Sequence, residues 1–300
     1  MLKRAIPVLA LAALAACIPK DTRPEPGQLF VTFTASDATT RGPLSTDDGY
    51  DVTFDRYLVS IRHDRIGDQC SLYYEPGYGR VLSLLLPGVQ KLNYFYGLGT
   101  CDFRYALDAP QEDSLAGVGV TQGDIDLFRT PGADPYVPVG GTSVEVQGRA
   151  TTGDVTTTFH WFFRATVRYM DCSLPGADPH QEVSITAQSS PTFDLLARGD
   201  TLFRDSLLET AKLRFAAIAA ADRMHGDSNG DVTLDELSQT PIAEARAGGD
   251  YAIDPAVAAT LSLPPTGIAT LLDFIYYAQL PRIMRYRDLG ACTVRPPKGD

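Results

Sequence analysis

The sequence predicts an α+β fold: an antiparallel β-sandwich followed by a smaller, mainly helical C-terminal region. Three observations predict it. Between residues 28 and 195, short runs of alternating apolar and polar residues recur between Gly-, Pro- and Asp-rich segments. No long helical period separates those runs, which argues against parallel strands joined by crossover helices. From about residue 195 the apolar residues return at spacings of three and four, the period of one helix face.

Each element has its own reason. Gln28–Thr34 alternates Leu29, Val31 and Phe33. Tyr50–Ile61 carries Val52 and Phe54, then shifts phase to Tyr57, Val59 and Ile61, which predicts a bulge inside one strand. Further strands are expected at Ser71–Tyr74, Val81–Leu86, Tyr94–Leu107, Ser143–Gly148, Val155–Arg168 and Glu182–Thr186. In Phe159-His160-Trp161-Phe162-Phe163, alternation puts Phe159, Trp161 and Phe163 on one face, as in a central strand whose aromatics fill the core. Leu208, Ala211, Phe215, Ile218 and Ala219 mark an amphipathic helix. Thr240-Pro241 reads as a cap followed by proline at the first helical position. Thr266 reads as the cap of an apolar run containing Ile268, Leu271, Leu272 and Ile275, which ends before Pro281.

Of the 300 residues 44% are hydrophobic and 21% charged, enough carbon to bury a real core. The net charge is −11, or −13 once the leader's Lys3 and Arg4 are removed. Such a chain lacks the basic footprint for phosphate backbones, which excludes nucleic acid as a partner. It also repels anionic headgroups, so membrane attachment has to come from something other than a basic surface.

That attachment is legible at the N-terminus. Lys3 and Arg4 precede an apolar run from Ile6 to Ala16, too short for a bilayer span and fitting the core of an export signal. Leu14-Ala15-Ala16-Cys17 closes it and resembles the bacterial lipobox. The resemblance implies cleavage before Cys17 and its diacylation, so residues 1–16 are a signal peptide and Cys17 anchors the chain to the membrane. Ile18, where enteric-type lipoproteins retained at the inner membrane carry Asp, points to the outer membrane. Residues 17–27, with Pro19, Pro24 and Pro26, read as an extended tether. Residues 28–195 form the sandwich and 196–300 the helical region.

Four further cysteines, Cys70, Cys101, Cys172 and Cys292, read as two disulfides in an exported chain. They allow three connectivities; Cys70–Cys101 with Cys172–Cys292 is the favoured one. No C-x-x-C spacing supports a soft-metal site.

One motif carries chemistry. His225-Gly226-Asp227-Ser228-Asn229-Gly230-Asp231-Val232-Thr233-Leu234-Asp235-Glu236-Leu237 follows the amphipathic helix and resembles an EF-hand calcium loop. Ca²⁺ takes six to eight oxygens, which short acidic and amide side chains on alternate residues of a tight loop supply. With Gly230 at the turn, the resemblance implies ligands Asp227, Asn229, Asp231 through its carbonyl, Thr233 and the closing Glu236. His225 then stands where the family has Asp. A second register starts at Asp227 and reads a contracted loop. Both registers use Asp227, Asn229, Asp231 and Glu236. A lone hand in an exported chain points to structural calcium rather than a switch.

No H-E-x-x-H, Walker or dinucleotide-binding motif is present, and no spacing picks out a catalytic set. The export signal, the strand Val52–Ser60, and the aromatic strand around Trp161 followed by Leu202-Phe203 resemble the MbnP-like family of secreted β-sandwich proteins linked to bacterial copper handling. That implies a sandwich. A copper site would require His160, His180 or Met170 to converge. Asp124 and Asp126 form either a second acidic site or a solvated turn; Arg282, Arg285 and Arg287 form a small basic cluster, solvated or salt-bridged by default. The expected function is a lipid-anchored envelope protein in a binding or surface-display role, with a structural calcium; the alternatives are a copper- or redox-linked periplasmic protein and a hydrolase on a β-rich fold.

Overall fold

A computed structural model of the chain describes residues 22–62, 71–74, 79–178, 183–208, 210–246, 251, 253 and 267–295. Cys17, His63, Cys70, His180 and Thr266 lie outside the described residues. Among the described residues strand accounts for 41% and helix for 21%, so sheets carry the architecture of this β-sandwich-like α+β fold. The strands are β1 Gly27–Ala35, β2 Leu44–Ser45, β3 Asp51–Arg62, β4 Ser71–Tyr74, β5 Arg80–Ser83, β6 Val89–Cys101, β7 Tyr105–Leu107 and β8 Leu115–Ala116. They continue with β9 Val144–Thr152, β10 Val155–Phe163, β11 Val167–Ser173, β12 Val183–Ile185, β13 Thr192–Ala197, β14 Asp231–Val232, β15 Met284–Tyr286 and β16 Ala291–Arg295.

Among the described residues they make two sheets. The smaller runs β12-β6-β1-β13-β15 with β4 beside β6; the larger runs β14-β10-β9-β3-β7-β11-β16 and carries β2, β5 and β8. Most pairings are antiparallel, as the alternation predicts. Three are parallel: β1 with β13, β10 with β14 and β5 with β8. In each case a long stretch of chain separates the partners, so no tight turn imposes the antiparallel sense.

The alternation sets the core. Leu29, Val31 and Phe33 of β1, with Phe193 and Leu195 of β13, belong to the same buried cluster as Val52, Tyr57 and Val59 of β3 and Phe159, Trp161 and Phe163 of β10. The β3–β9 register shifts between Phe54 and Arg56, where the phase change in the sequence places a bulge. Two predicted strands are each two. Tyr94–Leu107 divides into β6 and β7. Val155–Arg168 breaks at Arg164, whose amide donates to Asp134 Oδ2 and whose guanidinium donates to the Gly140 carbonyl.

The C-terminal segment supplies helices and also sheet edges. β15 pairs with β13, β16 with β11 and β14 with β10, and the hydrophobic cluster runs without a break across position 195. The predicted helix starts later than its apolar spacing suggested, at Ala216–His225. Asp48 Oδ2 accepts the amides of Phe215 and Ala216 at 2.9 and 2.8 Å, so a carboxylate from the sandwich terminates the orphan N–H groups there. Leu208 is left 54% exposed. The next caps also differ: Thr240 donates its hydroxyl to the Glu236 carbonyl rather than opening a helix, Pro241 is the N-cap of Ile242–Ala245, and Thr270 with Asp273 forms the capping box of Leu271–Asp273.

Cys172 and Cys292 are disulfide-bonded, tying β11 to β16 over a sequence separation of 120. Such a loop is worth about 5 kcal/mol of denatured-state entropy. Cys101 is also disulfide-bonded; its favoured partner, Cys70, lies outside the described residues. Among the described residues no helix is long and apolar enough to cross a membrane.

Candidate metal centre

The loop read as a calcium site joins the helix Ala216–His225 to the helix Leu234–Gln239. Gly230 sits at φ 83° and Ser228 at φ 58°, the left-handed turn that the predicted turn glycine serves without a Cβ penalty. Asp222, in the last turns of the first helix and only 3% exposed, organises the loop. Its Oδ1 accepts the Asn229 amide at 3.1 Å, its Oδ2 the Gly230 amide at 3.0 Å, and its carbonyl the Gly226 amide at 3.0 Å. Glu236 enters from the other side through a capping box. Its Oε2 accepts the Thr233 amide at 2.8 Å, while Thr233 Oγ1 accepts the Glu236 amide at 3.2 Å. Its Oε1 lies against Gly226, where an added Cβ would come within 2.0 Å. Gly226 is therefore glycine for space.

The outcome is a group of three carboxylates. Oxygens of Asp222, Asp227 and Glu236 all lie within 4.8 Å of one another, the first and last buried and Asp227 exposed. Of the residues predicted as ligands, Asp227 and Glu236 come together. Asn229 Oδ1 instead accepts the Asp231 amide at 2.7 Å. Asp231 Oδ1 accepts the Thr158 hydroxyl at 2.9 Å, because β14 is drawn onto β10 and turns that side chain to the sheet. Thr233 is spent on the cap. His225 faces away, with Nε2 3.0 Å from Glu244 Oε2.

Asp222 falls outside the loop motif, so motif matching misses it. A signal was present: Phe215, Ile218, Ala219 and Asp222 share one helix face, and a carboxylate on an apolar face is buried for a reason. The three side chains offer hard oxygen donors, each carboxylate oxygen having two lone pairs, so accepting an amide does not exhaust it. That donor set suits Ca²⁺, the rest of a six-to-eight-oxygen shell falling to carbonyls and water.

The loop is docked on the sandwich through the chain's single tryptophan. Trp161 Nε1 donates to the Val232 carbonyl at 2.7 Å. On the opposite face of β10, His160 Nε2 lies 2.9 Å from Glu145 Oε1, and Glu145 Oε2 accepts Arg56 Nε at 2.7 Å. Arg56 also binds Asp124 at 2.8 Å. Asp124 is thus neither an acidic site nor a free turn: it caps the helix Gln122–Arg129 and is paired. Burial opposes its charge, but the Thr121 amide and hydroxyl and the Arg56 guanidinium prevail and hold its carboxyl below the ordinary range. His160 faces Glu145, Met170 pairs with Thr293 in the β11–β16 ladder, and His180 lies outside the described residues.

Compared with protein-family models, with curated proteins and with solved structures, the chain shows no match.

Proposed function

We propose that this is an exported, lipid-anchored envelope protein whose helix–loop–helix at 216–239 holds a structural calcium ion, in a binding or surface-display role. The observation that carries the calcium reading is the convergence of Asp222, Asp227 and Glu236 within 4.8 Å, two of them at positions where the loop resembles an EF-hand. Lipid attachment at Cys17 rests on the lipobox resemblance and outer-membrane placement on Ile18. The disulfide supports an oxidising compartment.

The test is a thermal melt after EDTA treatment, with and without millimolar Ca²⁺, Mg²⁺ or Cu²⁺, on the wild type and on Glu236→Ala. Calcium at about 100 times its dissociation constant adds about 2.7 kcal/mol, a rise of several degrees. A calcium-specific rise lost in Glu236→Ala is expected. No rise, or the same rise in the variant, removes the calcium reading. The anchor is tested separately: Cys17→Ala should move the protein from the membrane fraction to the soluble one.

A further inference from the structure

β10 is the last long strand of the larger sheet, and only β14 lies beyond it. Its nine residues, Val155 to Phe163, include no Asp, Glu, Lys or Arg, no glycine and no proline, and all but His160 are β-branched or aromatic. At the other sheet ends β12 and β15 have three residues and β16 has five, and β15 and β16 each carry an arginine. Short or charged ends resist strand-to-strand association, whereas a long uncharged one invites it.

The backbone of β10 faces two ways. Its pairing with β9 is unbroken from Val155 to Phe163. Thr158 turns its amide away from β9 and donates to the Gly230 carbonyl at 2.7 Å. Backbone groups alternate in direction along a strand, so Thr156, His160 and Phe162 present theirs on this outer side too. β14 covers that side only opposite Thr158 and Phe159. Three side-chain contacts fasten the cover. The Thr158 hydroxyl reaches the Gly230 carbonyl at 3.3 Å and Asp231 Oδ1 at 2.9 Å, and Trp161 Nε1 donates to the Val232 carbonyl at 2.7 Å. A Cβ at Gly230 would stand 3.6 Å from the Thr156 carbonyl, so the turn of the loop lies over the next outward group.

We infer that the helix–loop–helix at 216–239 guards the β10 edge, and that β10 is a docking strand for β10 of a second copy of this chain once the loop is displaced. Two β10 edges meeting antiparallel on a two-fold axis pair the same outward groups with each other. Neither strand holds a carboxylate, Lys or Arg, so no like-charge pair opposes the contact. The contact uses the long uncharged edge of both copies, so it closes as a dimer. Asp222 is the latch: its carboxylate holds the amides of Asn229 and Gly230, which lead into β14. The role of calcium in keeping the latch shut rests on the calcium reading above: three carboxylates within 4.8 Å repel one another, and a bound cation removes that repulsion. The guard itself rests on the contacts with β10.

Sedimentation velocity of the purified protein in density-matched detergent tests it. With millimolar Ca²⁺ the wild type should sediment as one chain, and EDTA should tighten dimerisation at least about tenfold. Asp222→Asn should give the two-chain mass with or without Ca²⁺. Thr158→Val combined with Trp161→Phe deletes the three side-chain contacts and leaves the carboxylates untouched. It should also give the two-chain mass, and it serves in place of Asp222→Asn should that variant not fold. Thr156→Pro, added to either, should return the one-chain mass, because the lost N–H faces the outer side and not β9. A wild type already dimeric in Ca²⁺, one-chain mass in every loosened variant, or a dimer that Thr156→Pro leaves intact overturns the guard. The calcium reading fails separately. Dimerisation of the variants with no response of the wild type to EDTA keeps the guard and removes calcium as its agent. A calcium-specific rise in melting temperature with one-chain mass throughout keeps the calcium site and overturns the guard.

Discussion

Across the short parallel pairing of β10 with β14, two kinds of cohesion meet. On the β10 side, Phe159, Trp161 and Phe203 lie with ring centroids 4.9 to 6.2 Å apart, every ring nearly free of water. On the β14 side, the loop is held by Asp222 and Glu236, whose carboxylates accept three of the local backbone amides, while the Asp222 carbonyl accepts those of Gly226 and Ser228 and the Thr233 hydroxyl that of Glu236. Apolar contact is non-directional and scales with area; a carboxylate on an amide works only at hydrogen-bond distance. The rings therefore tolerate small shifts, whereas the loop depends on two side chains standing in place. Only the second region gathers negative charge that a cation would relieve.

Breaking the seam between them gives the largest effect. Trp161→Ala empties a buried site and frees the Val232 carbonyl, and should cost about 3–5 kcal/mol in urea unfolding. A loss near 1 kcal/mol would show that the ring is not central to the core. Asp222→Asn is the sharper cut, because the amide keeps the shape but loses charge and acceptor strength. It should cost about 1–3 kcal/mol and abolish any calcium-dependent rise in melting temperature, while the near-ultraviolet signal of Trp161 persists. Unchanged stability would mean that the loop folds without its buried carboxylate.

The smallest effect lies on the solvent side of the larger sheet. Asp124 has a depressed carboxyl in the folded protein, so the stability it contributes is present above its unfolded value near 4 and is lost as the pH falls through the folded one. Asp124→Asn should lower stability at neutral pH by about 0.5–1 kcal/mol and make the acid limb below about pH 4 shallower. An identical acid limb in wild type and variant would remove Asp124 from the acid response.

Where apolar burial decides, the sequence is a good guide. The alternation of Leu29, Val31 and Phe33, the bulge after Phe54, and the division of Phe159, Trp161 and Phe163 from His160 all reappear in the sheets. Polar direction is harder to read. The loop spacing anticipates that Asp227 and Glu236 come together, but not the turn of the Asp231 side chain onto Thr158, since that hydrogen bond depends on how β14 meets β10. Asp48 ends a helix more than 160 positions away in sequence, and no local window contains that pair.

The chain by itself determined the strand-rich class, the helix–loop–helix and the inward set of aromatics, because each follows from periodicity or from side-chain chemistry that neighbours in sequence express. Tertiary structure alone decided the pairing of Cys172 with Cys292, the parallel joining of β1 to β13 and the entry of Asp222 into the carboxylate group. Those outcomes depend on where remote segments meet, and directional interactions between remote groups are fixed only once the non-directional packing has brought them together.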